Sequence, residues 1–215
     1  MNKTAKVYKL LFERFGQQHW WPAESVFEVV VGALLMQQTS WRNVEKSIAN
    51  LKRNGMLEPA RLATARVEDL GELVRPAGLH RTKPARIRDF SRQIVDTRGG
   101  DVMAFLNRDA GQLRKEMLSM KGVGPETADS ILLYAAGVPV FVVDAYTKRL
   151  CERICLMKRL DYESIQEYFT KNLPEDVELY KEFHALIVRH AKETCRIKPM
   201  CGGCVLGRWC GYNKR

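Results

Sequence analysis

Apolar residues recur along most of this chain at the three-to-four-residue spacing of a helix and rarely in strict alternation. Val7, Leu11 and Phe15 line one face of a first helix, which Gly16 ends. Ser25 predicts the cap of a second helix running to about Met36, with Glu28 three residues on as in a capping box. That helix carries the longest apolar run, Val29 to Met36, with Gly32 and Ala33 inside it. Trp41 to Arg53 predicts a third helix, closed by Asn54-Gly55, and short helical pieces follow near 58–65 and 67–74. Pro84 fits the first turn of a helix bearing Ile87, Phe90 and Ile94 on one face, stopped by Gly99-Gly100. Leu113 to Met120 and Thr127 to Ala136 read as helices on either side of the turn Gly122-Val123-Gly124. Val138 to Val143 is short, apolar and extended, and Asp144 opens a helix to about Ile154. Two further helices cover roughly 161–171 and 177–193, so the expected fold class is all-α.

A length of 215 residues suits one large domain or two small ones, and 46% hydrophobic residues can build an ordinary core. No apolar run is long enough to span a bilayer, and the opening Met-Asn-Lys-Thr runs straight into an amphipathic segment, so a cytoplasmic protein is expected. The balance of 35 Lys and Arg against 25 Asp and Glu leaves +10, which suits a polyanionic partner, nucleic acid first. A basic soluble protein without such a partner would show the same balance.

Six cysteines change the picture further. Cys151 and Cys155 stand four apart on the helix after Asp144 and read as buried structural thiols. The others form Cys195-x5-Cys201-x2-Cys204-x5-Cys210, a metal-site density rather than a disulfide framework in a reducing compartment. Four thiolates suit a [4Fe–4S] cluster or tetrahedral zinc, and spacing alone does not separate them. Lys192, Arg196, Lys198 and Arg208 surround this loop and could meet phosphate or simply be solvated. His184 and His190 on the late helix read as core or surface histidines.

Lys121-Gly122-Val123-Gly124-Pro125-Glu126-Thr127 reads as helix, tight turn, helix. Glycines let the backbone approach a ligand closely, and amides heading the second helix can receive a DNA phosphate. An ordinary turn between antiparallel helices has the same pattern. Asp144, twenty residues beyond Gly124 and after Val-Pro-Val-Phe-Val-Val, would by itself read as a helix cap.

Taken together, Lys121-Gly-Val-Gly-Pro-Glu-Thr-Ala-Asp129, Val142-Val143-Asp144, Leu35-Met36-Gln37-Gln38-Thr39 and His190-Ala-Lys-Glu-Thr-Cys195 resemble the endonuclease III superfamily of DNA glycosylases. The resemblance covers nearly the whole chain. It implies a helix–hairpin–helix with Gly122, Gly124, Thr127 and Lys121 on the DNA backbone, and Asp144 as catalytic carboxylate. It also implies Gln37, or else Gln38, as the side chain filling the gap left by a flipped base, and a [4Fe–4S] cluster on Cys195, Cys201, Cys204 and Cys210. The family's first cysteine gap is six residues and here it is five, which leaves zinc open. Bifunctional members carry a lysine nucleophile where this chain has Glu126, so a monofunctional enzyme is expected.

Trp20-Trp21-Pro22 and Trp41 resemble the 3-methyladenine DNA glycosylase III branch, in which aromatic plates hold the flipped base. Carried over, Trp20 and Trp41 are the plates and Trp21 shares the pocket; a cationic methylated purine suits indole faces. A member of that branch lacks the four-cysteine cluster, so this chain resembles a cluster-bearing relative whose substrate range could differ. Gly78-Leu79-His80-Arg81-Thr82-Lys83 is a second candidate backbone-binding turn, with Arg81 and Lys83 on phosphate, or a plain basic loop. The resemblance implies two helical lobes, a six-helix barrel over 20–137 and a cluster lobe from 1–19 and 138–215, with a DNA cleft between them. The expected partner is double-stranded DNA containing a damaged base, bound by a monomer away from membranes. Excision of oxidised or mismatched bases, and a non-catalytic iron–sulfur DNA-binding protein, are the rival expectations.

Overall fold

The computed structural model describes residues 2–79 and 81–212. Twelve α-helices follow one another among the described residues, and no strand forms. They are α1 (Lys3–Phe15), α2 (Val26–Leu35), α3 (Trp41–Arg53), α4 (Pro59–Thr64), α5 (Val67–Val74), α6 (Thr82–Arg98), α7 (Val102–Leu106), α8 (Ala110–Ser119), α9 (Pro125–Tyr134), α10 (Ala145–Arg153), α11 (Tyr162–Asn172) and α12 (Val177–Glu193). Most begin on a side-chain cap: Asn2, Ser25, Asp101, Asp109, Asp144, Asp161 and Asp176 each accept a first-turn backbone N–H.

Three boundaries differ from the periodic reading. Five-residue α7 is too short for a period, and its cue was the cap Asp101. α8 starts at Ala110 rather than Leu113 because Asp109 caps it. α9 lies two residues earlier than Thr127 to Ala136, since Pro125 takes the first helical position after Gly124.

The chain divides into two compact units, Met1–Trp20 with Val138–Arg215, and Trp21–Gly137. In the second, α2 packs on α9, and both are buried almost all round, as interior helices are. α3, α6 and α7 pack around α2, and α8 lies on α9. In the first, α12 packs on α1 and α10. Its core includes an aromatic cluster in which Phe141 stacks on Phe169 at 4.1 Å and meets Tyr180 and Phe183 edge-on. That cluster fixes the extended segment leading into Asp144. No helix among the described residues is long and apolar enough to cross a membrane.

Candidate functional site

The turn between α8 and α9 is braced from three sides. Gly122 has φ 84°, and an added Cβ would run into the Arg86 guanidinium of α6. Its carbonyl accepts from Gln37 Nε2 at 2.8 Å, and the same nitrogen donates to Thr127 Oγ1 at 3.0 Å. Arg86 Nη1 in turn donates to Gln37 Oε1. Gln37, expected as an inserted side chain, is therefore tethered to the turn; Thr127, expected on DNA backbone, is buried with its hydroxyl engaged by Gln37. Gln38 is exposed, with φ 53°. Gly124 has open space where a Cβ would be, no side chain caps α9, and Lys121 is exposed beside the turn. An anion could approach the backbone there. Below the turn, Arg114 of α8 grips Asp129 of α9 bidentately, at 2.6 and 3.0 Å, and Asp129 is fully buried.

The other basic turn behaves differently. Lys83 is fully buried and donates to the Ala77 carbonyl at 2.6 Å, so it cannot meet phosphate; Arg81 is exposed. Burial, and then Arg86, push the Lys83 amine down to about 8. His80 lies outside the described residues. Leu79 is an exposed apolar residue with φ 48°, which a reading of this stretch as basic passed over.

Trp21 and Trp41 meet edge to face with centroids 5.1 Å apart, and Trp21 also meets Tyr134 of α9 at 5.3 Å. The Trp21 indole lies on α2 where Gly32 leaves room; a Cβ there would stand 3.0 Å from Cζ2. Trp21 thus supports Trp41 from the core side. Trp20 is half-buried and belongs to the other unit.

Asp144 caps α10. Its Oδ1 accepts from Thr147 N at 2.7 Å and Thr147 Oγ1 at 2.9 Å, while Oδ2 stands 3.6 Å from His184 Nε2. Burial opposes its charge, but His184 and the Thr147 donors outweigh burial and hold the carboxyl below its usual range. The site therefore offers a buried yet ionised carboxylate, which suits stabilising positive charge.

Cys195, Cys201, Cys204 and Cys210 are half-buried thiols outside any disulfide. Burial pushes the Cys204 thiol up, and the other three sulfurs add to that, so the four sense one another's charge. Arg153 Nη1 donates to Cys195 Sγ at 3.1 Å and to the Arg196 carbonyl at 2.6 Å, and Arg149 holds the Cys195 carbonyl at 2.9 Å. Buried His190, pushed down to about 4 by burial, brings Nε2 within 4.0 Å of Cys204 Sγ. Four clustered sulfurs, with the Arg153 guanidinium donating to Cys195 and His190 beside Cys204, fit a soft cationic group. Among the described residues no three ligand side chains gather as for a single metal ion. Cys151 is buried, as expected, but Cys155 follows the end of α10 with φ 50° and is exposed.

Residues 31–175 match the family described as HhH-GPD superfamily base excision DNA repair protein. The chain belongs to the HhH-GPD superfamily. A protein of Methanocaldococcus jannaschii assigned by name to the DNA repair glycosylases is 48% identical over 95% of this chain and 94% of its own length. Endonuclease III of Thermotoga maritima is 30% identical over 95% of this chain and 91% of its own. Among solved structures, the 3-methyladenine DNA glycosylase of H. pylori, bound to 1,N6-ethenoadenine, superposes with a TM-score of 0.78 at 27% identity, covering 89% of this chain and 98% of that one.

Within this HhH-GPD protein, sequence reasoning missed three partners of its candidate residues. Arg86 and Gln37 meet across forty-nine positions, and Tyr134 joins the tryptophans from α9. His184, read as core or surface, faces Asp144. The available signal for His184 was a histidine inside an otherwise apolar helical stripe.

Proposed function

We propose that this base-excision DNA glycosylase is monofunctional and hydrolyses the N-glycosidic bond of alkylated purines, 3-methyladenine first. The observation that carries the reading is Asp144, a buried carboxylate held in its ionised form by Thr147 and His184. As the C–N bond breaks, its electrons go to the purine, which is already cationic and leaves neutral. Positive charge develops on the sugar, Asp144 stabilises it, and water adds to the sugar carbon, its proton passing to Asp144 and on to solvent. A weak glycosidic bond needs no strong general acid, and none is assigned here.

Alkylpurine preference is supported by the indoles of Trp20, Trp21 and Trp41 and by likeness to the H. pylori 3-methyladenine enzyme. In this reading Trp41, backed by Trp21, presents an indole plate to the base. Gln37 fills the vacated stack after leaving its tether, or the already exposed Gln38 does so. Gly122, Gly124 and Lys121 meet the DNA backbone, with Thr127 holding the turn through Gln37. Glu126, where a lyase would need a lysine, supports hydrolysis without strand cleavage. Cys195, Cys201, Cys204 and Cys210 would hold a [4Fe–4S] cluster, which when bound supplies a structural tie for the loop and its cations. A brown protein absorbing in the visible supports the cluster; a colourless zinc protein refutes it.

The test is base release from duplex DNA treated with a methylating agent, with freed bases identified by chromatography. 3-Methyladenine should appear, and strands should break only after alkali. Release of no methylated base by folded protein would overturn the substrate assignment, and strand breakage without alkali would overturn the monofunctional one.

A further inference from the structure

The Asp144 carboxylate is covered unequally. Thr147 supplies both donors to Oδ1, and the second oxygen faces His184 Nε2 at 3.6 Å. That gap admits no water between them, and both side chains are nearly buried, at 12% and 10% exposure. A charge so placed needs a compensating donor. The backbones that bring the pair together meet in the aromatic cluster. Phe141 lies three residues before Asp144, Phe183 precedes His184, and their rings meet edge-on at 5.9 Å. Sliding α12 would therefore cost core packing.

Resting on the reading of Asp144 as the catalytic carboxylate, we infer that His184 is its positioning residue: the imidazole Nε2–H faces the carboxylate oxygen that Thr147 leaves uncovered, and so sets the acid limb of base excision. Described side chains face the pair from the helices packed around it. α10 contributes Thr147, and α12 contributes His184. α1, packed on α12, presents Tyr8 against Phe183, and Glu182 on α12 is turned to the Gln18 amide. When protonated, His184 acts on Asp144 with an opposite charge. The sign follows. His184 favours the ionised carboxylate, so removing it raises the pH at which Asp144 takes a proton and moves the acid limb upward.

The experiment compares wild type, His184→Phe, His184→Asn and His184→Gln in the intact, cluster-loaded protein. Two readouts are taken: the carbon-13 carboxyl titration of Asp144 by NMR, and the pH profile of base release from methylated duplex under single turnover. An opposite charge within about 4–6 Å moves a carboxylate by about 1–3 units. Phe, which has no donor, and Asn, which is too short, should therefore raise the Asp144 midpoint by at least about one unit, slowing release roughly tenfold below it while leaving the alkaline plateau near wild type. Gln, long enough to offer an N–H but uncharged, should restore part of the wild-type titration. An unchanged midpoint in Asn and Phe variants, or a Gln variant shifted as far as Asn, overturns the inference. If Phe fails to fold, the Asn and Gln pair decides. The NMR midpoint is read without DNA, so absence of base release by wild type would count against the substrate reading alone.

Discussion

Replacing Arg114 by methionine tests how the hairpin is held. The aliphatic stem and its packing are largely kept, but the bidentate partner of the fully buried Asp129 carboxylate is lost. Breaking a buried pair by removing one partner costs about 3–5 kcal/mol, because the remaining buried charge loses its compensating cation. At roughly 2–4 °C per kcal/mol for a chain of this size, the melting midpoint should fall by roughly 6–20 °C. Helical circular dichroism during heating and urea titration reads the loss directly. Adding Asp129→Asn removes the buried charge, so the double variant should recover a good part of the loss. Because the pair ties α8 to α9 on either side of the turn, undamaged duplex should also bind more weakly to Arg114→Met than to the double variant. A cost under about 1 kcal/mol, or a double variant no better than the single, would refute the reasoning.

Other outcomes follow from the same geometry. Gln37→Ala deletes three hydrogen bonds of the turn, each worth about 0.5–1.5 kcal/mol, and should speed amide exchange at Val123 and Gly124. Lys83 carries a folded-state value of about 8 against an ordinary 10.5, so the unfolded chain binds more protons between those values. Stability should therefore rise as pH climbs through that window, and Lys83→Met should lose this slope in urea titrations. Glu126→Lys places an amine where bifunctional relatives carry one, and borohydride should then trap a covalent complex with an abasic duplex that the wild type does not form.

Much of the fold was legible because burial in a helical protein repeats at the helical period and Asp, Ser and Gly mark the ends. α2 was readable from Ser25 and its apolar run, and α12 from its stripe. α7 escaped because five residues hold barely more than one turn. At the site, local motifs were legible and long-range partners were not. The turn at 122–124 and the cap Asp144 could be placed from sequence, and the family resemblance gave them their expected roles, but nothing in Lys83 distinguishes a lysine donating to a buried carbonyl from one reaching for phosphate. Cys155 was misplaced by two residues of helix: α10 ends at Arg153, and the chain turns the thiol outward. The tether on Gln37 and the approach of His184 to Asp144 depend on packing between helices far apart in sequence, which no single helix encodes.

The central claim is tested most directly by single-turnover base release measured side by side from methylated, oxidised and mismatched duplexes, with wild type and Asp144→Asn. Wild type should release 3-methyladenine well above release from the other two, and Asp144→Asn should lose it by orders of magnitude with DNA binding retained. Faster release of an oxidised or mismatched base, or undiminished release by Asp144→Asn, would contradict it.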